Sequence, residues 1–214
     1  MIIEAPASIA NLGPAFDVAA LAVNPPSDIV KVKVTDGDGV FIRNSGEYAS
    51  SLPSEGNGNS AYLVATKATE LARLRRRIEV EVIKRIKPAS GLGSSGATSA
   101  AVAYALNRLL NLGLSEWELV ELASYGELAS AGVRHMDNVA ASLLGGLVLV
   151  NPVIRRITRV NFPELSIVVV IEGSKPNTGF MRSILPKAYE LSDVVANMAN
   201  VAQLVASVLM NDLD

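Results

Sequence analysis

The chain has no cysteine among its 214 residues. That excludes disulfides, thiolate nucleophiles and cysteine-bound metal, and it fits a cytoplasmic enzyme. Histidine is nearly as scarce: His135 stands alone, so one chain cannot build a multi-histidine metal centre. Aromatic residues make up 5% and charged residues 19% of the sequence, and the net charge is -2. A balance so near neutrality gives no bulk attraction to nucleic acid or to an anionic membrane, and neither is expected as a partner. The basic run Arg73-Leu-Arg-Arg-Arg77 suits a solvated helix end, where cations oppose the dipole. The N-terminus Met1-Ile-Ile-Glu-Ala-Pro6 lacks the basic and apolar regions of a signal peptide. The apolar runs 166–171 and 194–210 are interrupted or amphipathic, so no membrane span is expected. Aliphatic residues are plentiful instead: half of the sequence is hydrophobic, enough for a sizeable core.

Against this background the stretch Pro88-Ala-Ser-Gly91-Leu-Gly93-Ser94-Ser95-Gly96 stands out. It precedes an Ala-rich run, 97–110, that reads as a helix. A glycine-rich loop opening a helix presents unpaired N–H groups and the positive dipole end, which together make an anion site. Gly91-x-Gly93-x-x-Gly96 also spells the dinucleotide fingerprint. That fingerprint needs a tight strand-to-helix turn and an acid ending a second strand about 20 residues on. Here Lys87-Pro88-Ala-Ser90 intervenes after the strand 78–84, and Glu116 and Glu118 lie in a helical segment. The Walker A pattern fails because no lysine follows the last glycine. A plain flexible loop is the competing reading.

The chain in order reads as a short strand at 2–5, a turn-rich loop at 6–17, and a buried apolar run at 18–23. A turn follows at Asn24-Pro-Pro-Ser-Asp28, then strands at 29–35 and 40–43 around Asp36-Gly-Asp-Gly39. After a polar loop at 44–58, Asn59 or Ser60 caps a helix reaching about Leu74, with Leu63, Val64, Lys67, Leu71 and Leu74 on its apolar face. An alternating strand at 78–83 leads to the glycine loop. Beyond the loop helix, 115–130 reads as a helix with a Ser115/Glu118 capping box, and 137–144 as a short one. Strands are expected at 147–150, 155–160 and 166–171, a loop at 173–179, and an amphipathic helix at 192–210 capped by Ser192. The order β-β-β-α-β-α-α-α-β-β-β-α is α+β rather than doubly wound.

Three further clusters combine polar residues with apolar surroundings. Asn11 and Asp17 share a loop between buried strands and serve equally as an Asx-turn pair. Glu127 lies in an Ala-, Leu- and Gly-rich helix, followed by His135-Met-Asp137-Asn138. A carboxylate there is either exposed or paired with a cation, and Mg²⁺ suits a position beside a phosphate loop. Asp137 or Asn138 would by default cap a helix. Asn177-Thr178 and Arg182 sit in a loop and the first turn of a short helix, where arginine suits bidentate carboxylate or phosphate recognition or is simply exposed.

Taken together, these residues resemble the GHMP kinase superfamily and, within it, the homoserine kinases. The matching pieces are Pro6-Ala-Ser-Ile-Ala-Asn11-Leu-Gly-Pro-Ala-Phe-Asp17 and Gly91-Leu-Gly-Ser-Ser95. With them go Gly126-Glu127 through His135-Met-Asp-Asn138, Gly145-Gly146, and Asn177-Thr178 through Arg182-Ser-Ile-Leu-Pro186. The departures are small: Ala15 where the family usually has glycine, Gly96 where alanine is usual, and Met136 after the histidine.

The resemblance implies an N-terminal ribosomal-protein-S5-like α+β domain, here 1–160, followed by a ferredoxin-like domain of which 161–214 is only the start. The family's chain continues further, so a truncated chain with exposed apolar surface is expected. The implied reaction is ATP-dependent phosphorylation of the homoserine hydroxyl to O-phosphohomoserine, in threonine biosynthesis in the cytoplasm. By the same resemblance Lys87, Pro88, Ala89, Ser90, Gly91, Leu92, Gly93, Ser94, Ser95 and Gly96 bind ATP, and Ser95 and Glu127 hold Mg²⁺. Asn11, Asp17, His135, Asp137, Asn138, Thr178 and Arg182 line the homoserine pocket, with Asn138, Asp17 and Arg182 the catalytic set. A zwitterion needs an anion for its ammonium and a cation for its carboxylate, and Asp17 and Arg182 are the available pair. An amide at 138 cannot take the hydroxyl proton, so Asn138 is expected to orient the hydroxyl while the proton leaves to the phosphate. Another GHMP kinase, for shikimate or mevalonate, and a non-catalytic nucleotide-binding fragment remain as alternatives. A homodimer is left open.

Overall fold

A computed structural model describes residues 1–53, 56–73, 75–160, 166–171 and 178–212. Its centre is a long hairpin. Strand β1 (Ile2–Leu12) turns at Gly13-Pro14 into β2 (Ala15–Thr35) and pairs with it antiparallel. The segment 6–17, expected as a loop, is therefore mostly strand. Its alanines and serines have weak strand preference, but Ala5, Ala7 and Ser8 are buried, and pairing overrides propensity. The expected turn at Asn24–Asp28 is also not a break. The register jumps from Pro6–Ser27 to Ala7–Val23, so Asn24, Pro25 and Pro26 stand out as a bulge. Proline has no N–H for a ladder, and a bulge accommodates that lack.

Strand β3 (Gly39–Ser45) runs parallel to β4 (Arg77–Ile83), and the two are joined through helix α1 (Ser60–Ala72). The sheet order is β3-β4-β2-β5-β6, with β1 on β2, where β5 is Leu147–Asn151 and β6 is Arg156–Val160. Asn59 caps α1 by accepting the Tyr62 N–H. The core face of α1 is Ala61, Val64, Ala65 and Ala68, whereas Leu71 is 48% exposed. The larger aliphatics thus misplaced the buried face, and Leu74 lies outside the described residues.

Helix α2 (Ser94–Leu109) is the hub. It packs against β1, α1, α3 (Glu116–Ser124) and α5 (Asp137–Leu144). Its many alanines let these neighbours approach closely, and Val102 and Leu106 fill the centre of the core. The Ser115/Glu118 capping box is present. The expected helix 115–130 breaks, however, into α3, a 3-10 turn at Tyr125–Glu127 and the short α4 (Leu128–Ala131).

The C-terminal part departs further from expectation. No strand forms at 166–171: none of the described strands pairs with that stretch. Val168 and Val170 are 88% and 85% exposed. Thr178, expected in a loop, opens α6 (Thr178–Ser183), and Arg182 falls in its last turn rather than its first. The motif residue Asn177 lies outside the described residues. Helix α7 (Leu191–Met210) follows Glu190 without a side-chain cap bond, so Ser192 does not cap it. By length and composition alone, α7 is apolar enough to cross a membrane. Of its residues only Val208 is buried, against Leu21, Leu147 and Val160.

Candidate active site

Helix α2 begins at Ser94, three residues earlier than its alanine run indicates. Its N-cap is Gly93, in the left-handed region (φ 58°), so no cap side chain bonds the first turn. The first intrahelical bond runs from Ala97 N to the Gly93 carbonyl at 2.9 Å, which leaves the N–H groups of Ser94, Ser95 and Gly96 without intrahelical acceptors. Above them opens a cavity of about 310 Å³. A long helix with an uncapped N-terminus facing a cavity is an anion site by construction.

Of the ten residues expected at ATP, Pro88, Ala89, Ser90, Gly91, Gly93, Ser94 and Ser95 line this cavity, while Lys87, Leu92 and Gly96 do not. Leu92 points into the core, and its carbonyl accepts the Ser8 N–H at 3.1 Å, which ties the loop to β1. Gly96 is buried beneath Asn138, where an added Cβ would stand 3.3 Å from the Asn138 Cβ. Gly93 is needed for space as well as for φ. A Cβ there would come within 2.1 Å of Ser8 Oγ and 2.8 Å of Asn138 Oδ1.

The two residues expected at the metal do meet. Ser95 Oγ donates to Glu127 Oε1 at 2.7 Å, and Ser130 Oγ reaches Ser95 Oγ at 3.2 Å. Glu127 is buried in its 3-10 turn. The turn comes this close because Gly126 has no side chain: a Cβ there would lie 2.0 Å from Ser99 Oγ. No group of three or more His, Cys, Asp or Glu residues able to hold a metal exists among the described residues. One buried carboxylate and one hydroxyl beside this cavity nonetheless fit Mg²⁺, which usually binds through one or two carboxylates, waters and substrate phosphates.

Asn138 is held from below. Ser8 Oγ donates to its Oδ1 at 2.9 Å, and Ser142 Oγ bonds Ser8 Oγ at 3.3 Å. The amide N–H₂ group has two donors to offer to the cavity that Asn138 lines. Asp137 is not the helix cap either; Met136 is, without a side-chain bond. Asp137 is almost wholly buried. Burial holds its carboxyl above the usual aspartate range, while the Asn138 N–H at 2.9 Å works against that and nearby Asp17 adds to it. A second cavity, of about 150 Å³, is lined by Asp17, His135, Asp137, Arg134, Met136, Val150 and Pro152.

Asp17 and Arg182 form an ion pair through Asp17 Oδ1 and Arg182 Nη2, and the guanidinium carbon lies 4.9 Å from the centre of the Phe16 ring. Asn11 is exposed and lines neither cavity. Its Oδ1 accepts the Asp17 N–H at 2.8 Å, with both residues at positive φ (59° and 58°), so Asn11 braces the backbone that presents Asp17. Thr178 lines the larger cavity, apart from Asp17 and His135.

The sequence reading missed Ser8, Ser130, Asp28 and Lys84. For the last two a signal existed. Lys84 continues the inward set Ile78, Val80 and Val82, and Asp28 the inward set Val30 and Val32, so period-2 alternation points both charges into the core. Ser8 had no comparable signal, because a lone serine among alanines reads as a loop.

The family "GHMP kinases N terminal domain" matches residues 51–146, which hold the glycine loop, Glu127 and Asn138. A homoserine kinase of Methanococcus maripaludis is 40% identical over 98% of this chain, which covers 69% of that protein. The crystal structure of homoserine kinase from Cytophaga hutchinsonii superposes with a TM-score of 0.81 at 33% identity, over 99% of this chain and 68% of that one. The mevalonate kinase of Methanococcus jannaschii, at 14% identity and a TM-score of 0.59, shares the fold. Identity at this level along nearly the whole sequence, around a loop, carboxylate and amide that the structure draws together, places the chain in the homoserine kinase family of the GHMP kinases.

Proposed function

We propose that this chain binds ATP·Mg²⁺ at the start of α2 and transfers the terminal phosphoryl group to the side-chain hydroxyl of homoserine. One observation carries the reading: the consecutive residues Asp137 and Asn138 face the smaller and the larger cavity respectively. An amino acid held by its charged groups among Asp17, Asp137 and Arg182 therefore directs its hydroxyl toward Asn138 and the phosphate cavity. Mevalonate and shikimate have no ammonium to match the acids.

The orphan N–H groups of α2 would neutralise the phosphates, and Glu127 and Ser95 would hold Mg²⁺, which supplies charge neutralisation when bound. Arg182 would take the substrate carboxylate and Asp17 its ammonium, with His135 and Asp137 completing the wall. Asn138 would orient the hydroxyl. As the new O–P bond forms and the bond to the ADP oxygen breaks, the hydroxyl proton passes to the transferring phosphate, since an amide cannot accept it. Residues 1–160 would form the N-terminal GHMP domain and 161–214 the beginning of the second. The setting is cytoplasmic, in the route to threonine.

A coupled ADP-release assay with homoserine, shikimate and mevalonate tests this. Turnover with homoserine alone is expected, and preference for another alcohol would overturn the reading. Binding of ATP·Mg²⁺ without turnover of any alcohol would mark the chain as a nucleotide-binding part only. Asn138→Asp tests the proton route: a lower rate and an altered pH profile are expected, and an undiminished rate with an unchanged profile counts against it.

A further inference from the structure

Beneath the phosphate loop lies a polar cluster sealed from solvent. Lys84 is 2% and Asp28 0% exposed, and Lys84 forms part of the floor of the larger cavity. The two residues come from neighbouring strands, one step beyond the Ile29–Ile83 pair. The Lys84 ammonium donates to Asp28 Oδ2, to the Ser94 carbonyl at 2.6 Å and to Thr98 Oγ1 at 2.8 Å. Thr98 Oγ1 in turn donates to Asp28 Oδ2 at 3.0 Å. The other oxygen, Asp28 Oδ1, accepts the N–H groups of Arg85 and Ile86, both at 2.9 Å. Ser94 Oγ closes the ring on the Ile86 carbonyl at 2.9 Å.

Both ends of the loop are thus tied to one ion pair. Arg85 and Ile86, where the chain leaves β4, hang on Asp28. Ser94, where α2 begins, hangs on Lys84. Only residues 87–93 span the gap. Stability is a weak reason for such a pair, because well-packed apolar replacements of buried ion pairs are often neutral or stabilising. Full hydrogen bonding instead gives a rigid, single geometry. Burial pushes the Lys84 ammonium below the usual lysine range, and Asp28 opposes that shift.

We infer that Asp28 and Lys84 are positioning residues for phosphoryl transfer: they clamp the entry and exit of the phosphate loop so that the first-turn N–H groups of α2 face the nucleotide phosphates. This rests on the reading of 87–96 as the phosphate loop. Neither residue is required to touch the transferred group.

The test separates positioning from folding. Lys84→Met leaves Asp28 buried without its cation, whereas the double variant D28N/K84M removes both charges and keeps an oxygen for the Arg85 and Ile86 N–H groups. Thermal midpoints are measured for both, with calorimetric Kd values for ATP·Mg²⁺ and for inorganic tripolyphosphate with Mg²⁺. The expected result is a lowered midpoint for Lys84→Met that largely recovers in the double variant. Both ligands should bind about tenfold more weakly in both variants, a loss of about 1.4 kcal/mol. Unchanged Kd values in the double variant, or affinity that recovers together with stability, would overturn the inference. If Lys84→Met does not fold, the double variant carries the test alone. Failure of the unaltered chain to bind either ligand would overturn the phosphate-loop reading first and the clamp with it.

Discussion

The two ends of this molecule are built on different terms. Up to Val160 the sheet, α1, α2, α3 and α5 enclose a continuous apolar core, with the charged pair Asp28–Lys84 sealed within it. Beyond it, 166–171 and α7 carry exposed aliphatic side chains, and α7 meets the rest through Val208. The proposed catalytic parts divide along the same line. The phosphate loop, Glu127 and Asn138 all stand on elements of the enclosed core. Arg182 and Thr178 come from α6 in the outlying part, and the Asp17–Arg182 ion pair links the two parts. Nucleotide binding should therefore depend on the core alone, and recognition of the acceptor on both parts.

The largest expected effect lies within the core. Glu127→Gln removes the buried charge that Ser95 faces and leaves a group of the same size. Turnover should fall by about 10³-fold, the scale set by losing one preorganised electrostatic contact, and should need more Mg²⁺; rates measured across a Mg²⁺ titration check it. An unchanged Mg²⁺ dependence would remove Glu127 from the metal. Next comes Arg182→Ala, which should cost about 100-fold in kcat/KM for homoserine through loss of a charge-assisted contact. Its ATP·Mg²⁺ Kd should stay that of the unaltered chain. If nucleotide binding weakens as much as acceptor use, the division between the two parts is wrong. Because Asp17 and Arg182 touch, D17N and D17N/R182A should show strong non-additivity. Gly126→Ala should cost about tenfold in turnover at subsaturating Mg²⁺, because a Cβ 2.0 Å from Ser99 Oγ pushes the Glu127 turn away from Ser95.

How much of this the sequence carried depends on which residues signal by kind and which by company. The glycine loop, the Ser115/Glu118 box and the alternating strand ending at Lys84 announce themselves through turn chemistry or period. So does the loop–carboxylate–amide set, although only its joint order raised it above a weak glycine pattern. The β1–β2 hairpin was hidden because strands of Ala, Ser and Pro look like loops until a partner pairs with them. The cap of α7 and the buried face of α1 were misassigned for a related reason. Leu71, a favourable local residue, was overruled by tertiary surroundings that a single sequence does not display, while α7 starts one residue before Ser192, with Glu190 at the cap position. The strand expected at 166–171 has the right aliphatic composition, but pairing is a property of two segments, and none of the described strands pairs with it.

The smallest effect concerns what the core gives up for the site. Burial holds the Asp137 carboxyl above the usual aspartate range. The unfolded chain, with an ordinary aspartate, releases this proton at lower pH than the folded chain does. Stability is therefore lost as pH rises from the ordinary aspartate value of 3.8 through the raised one, and above both the whole penalty is in force. Asp137→Asn has no such charge. It should melt higher than the unaltered chain at pH 7, and the gap should close as pH falls below 3.8. Homoserine use should meanwhile fall by about tenfold, the exchange of activity for stability common at functional sites. Melting curves across pH decide it. A gap that persists in acid, or a variant less stable at every pH, would mean that Asp137 serves the packing of α5 rather than the substrate. The enclosed core would then hold the nucleotide site alone, and acceptor recognition would rest on Asp17, His135 and the outlying Arg182.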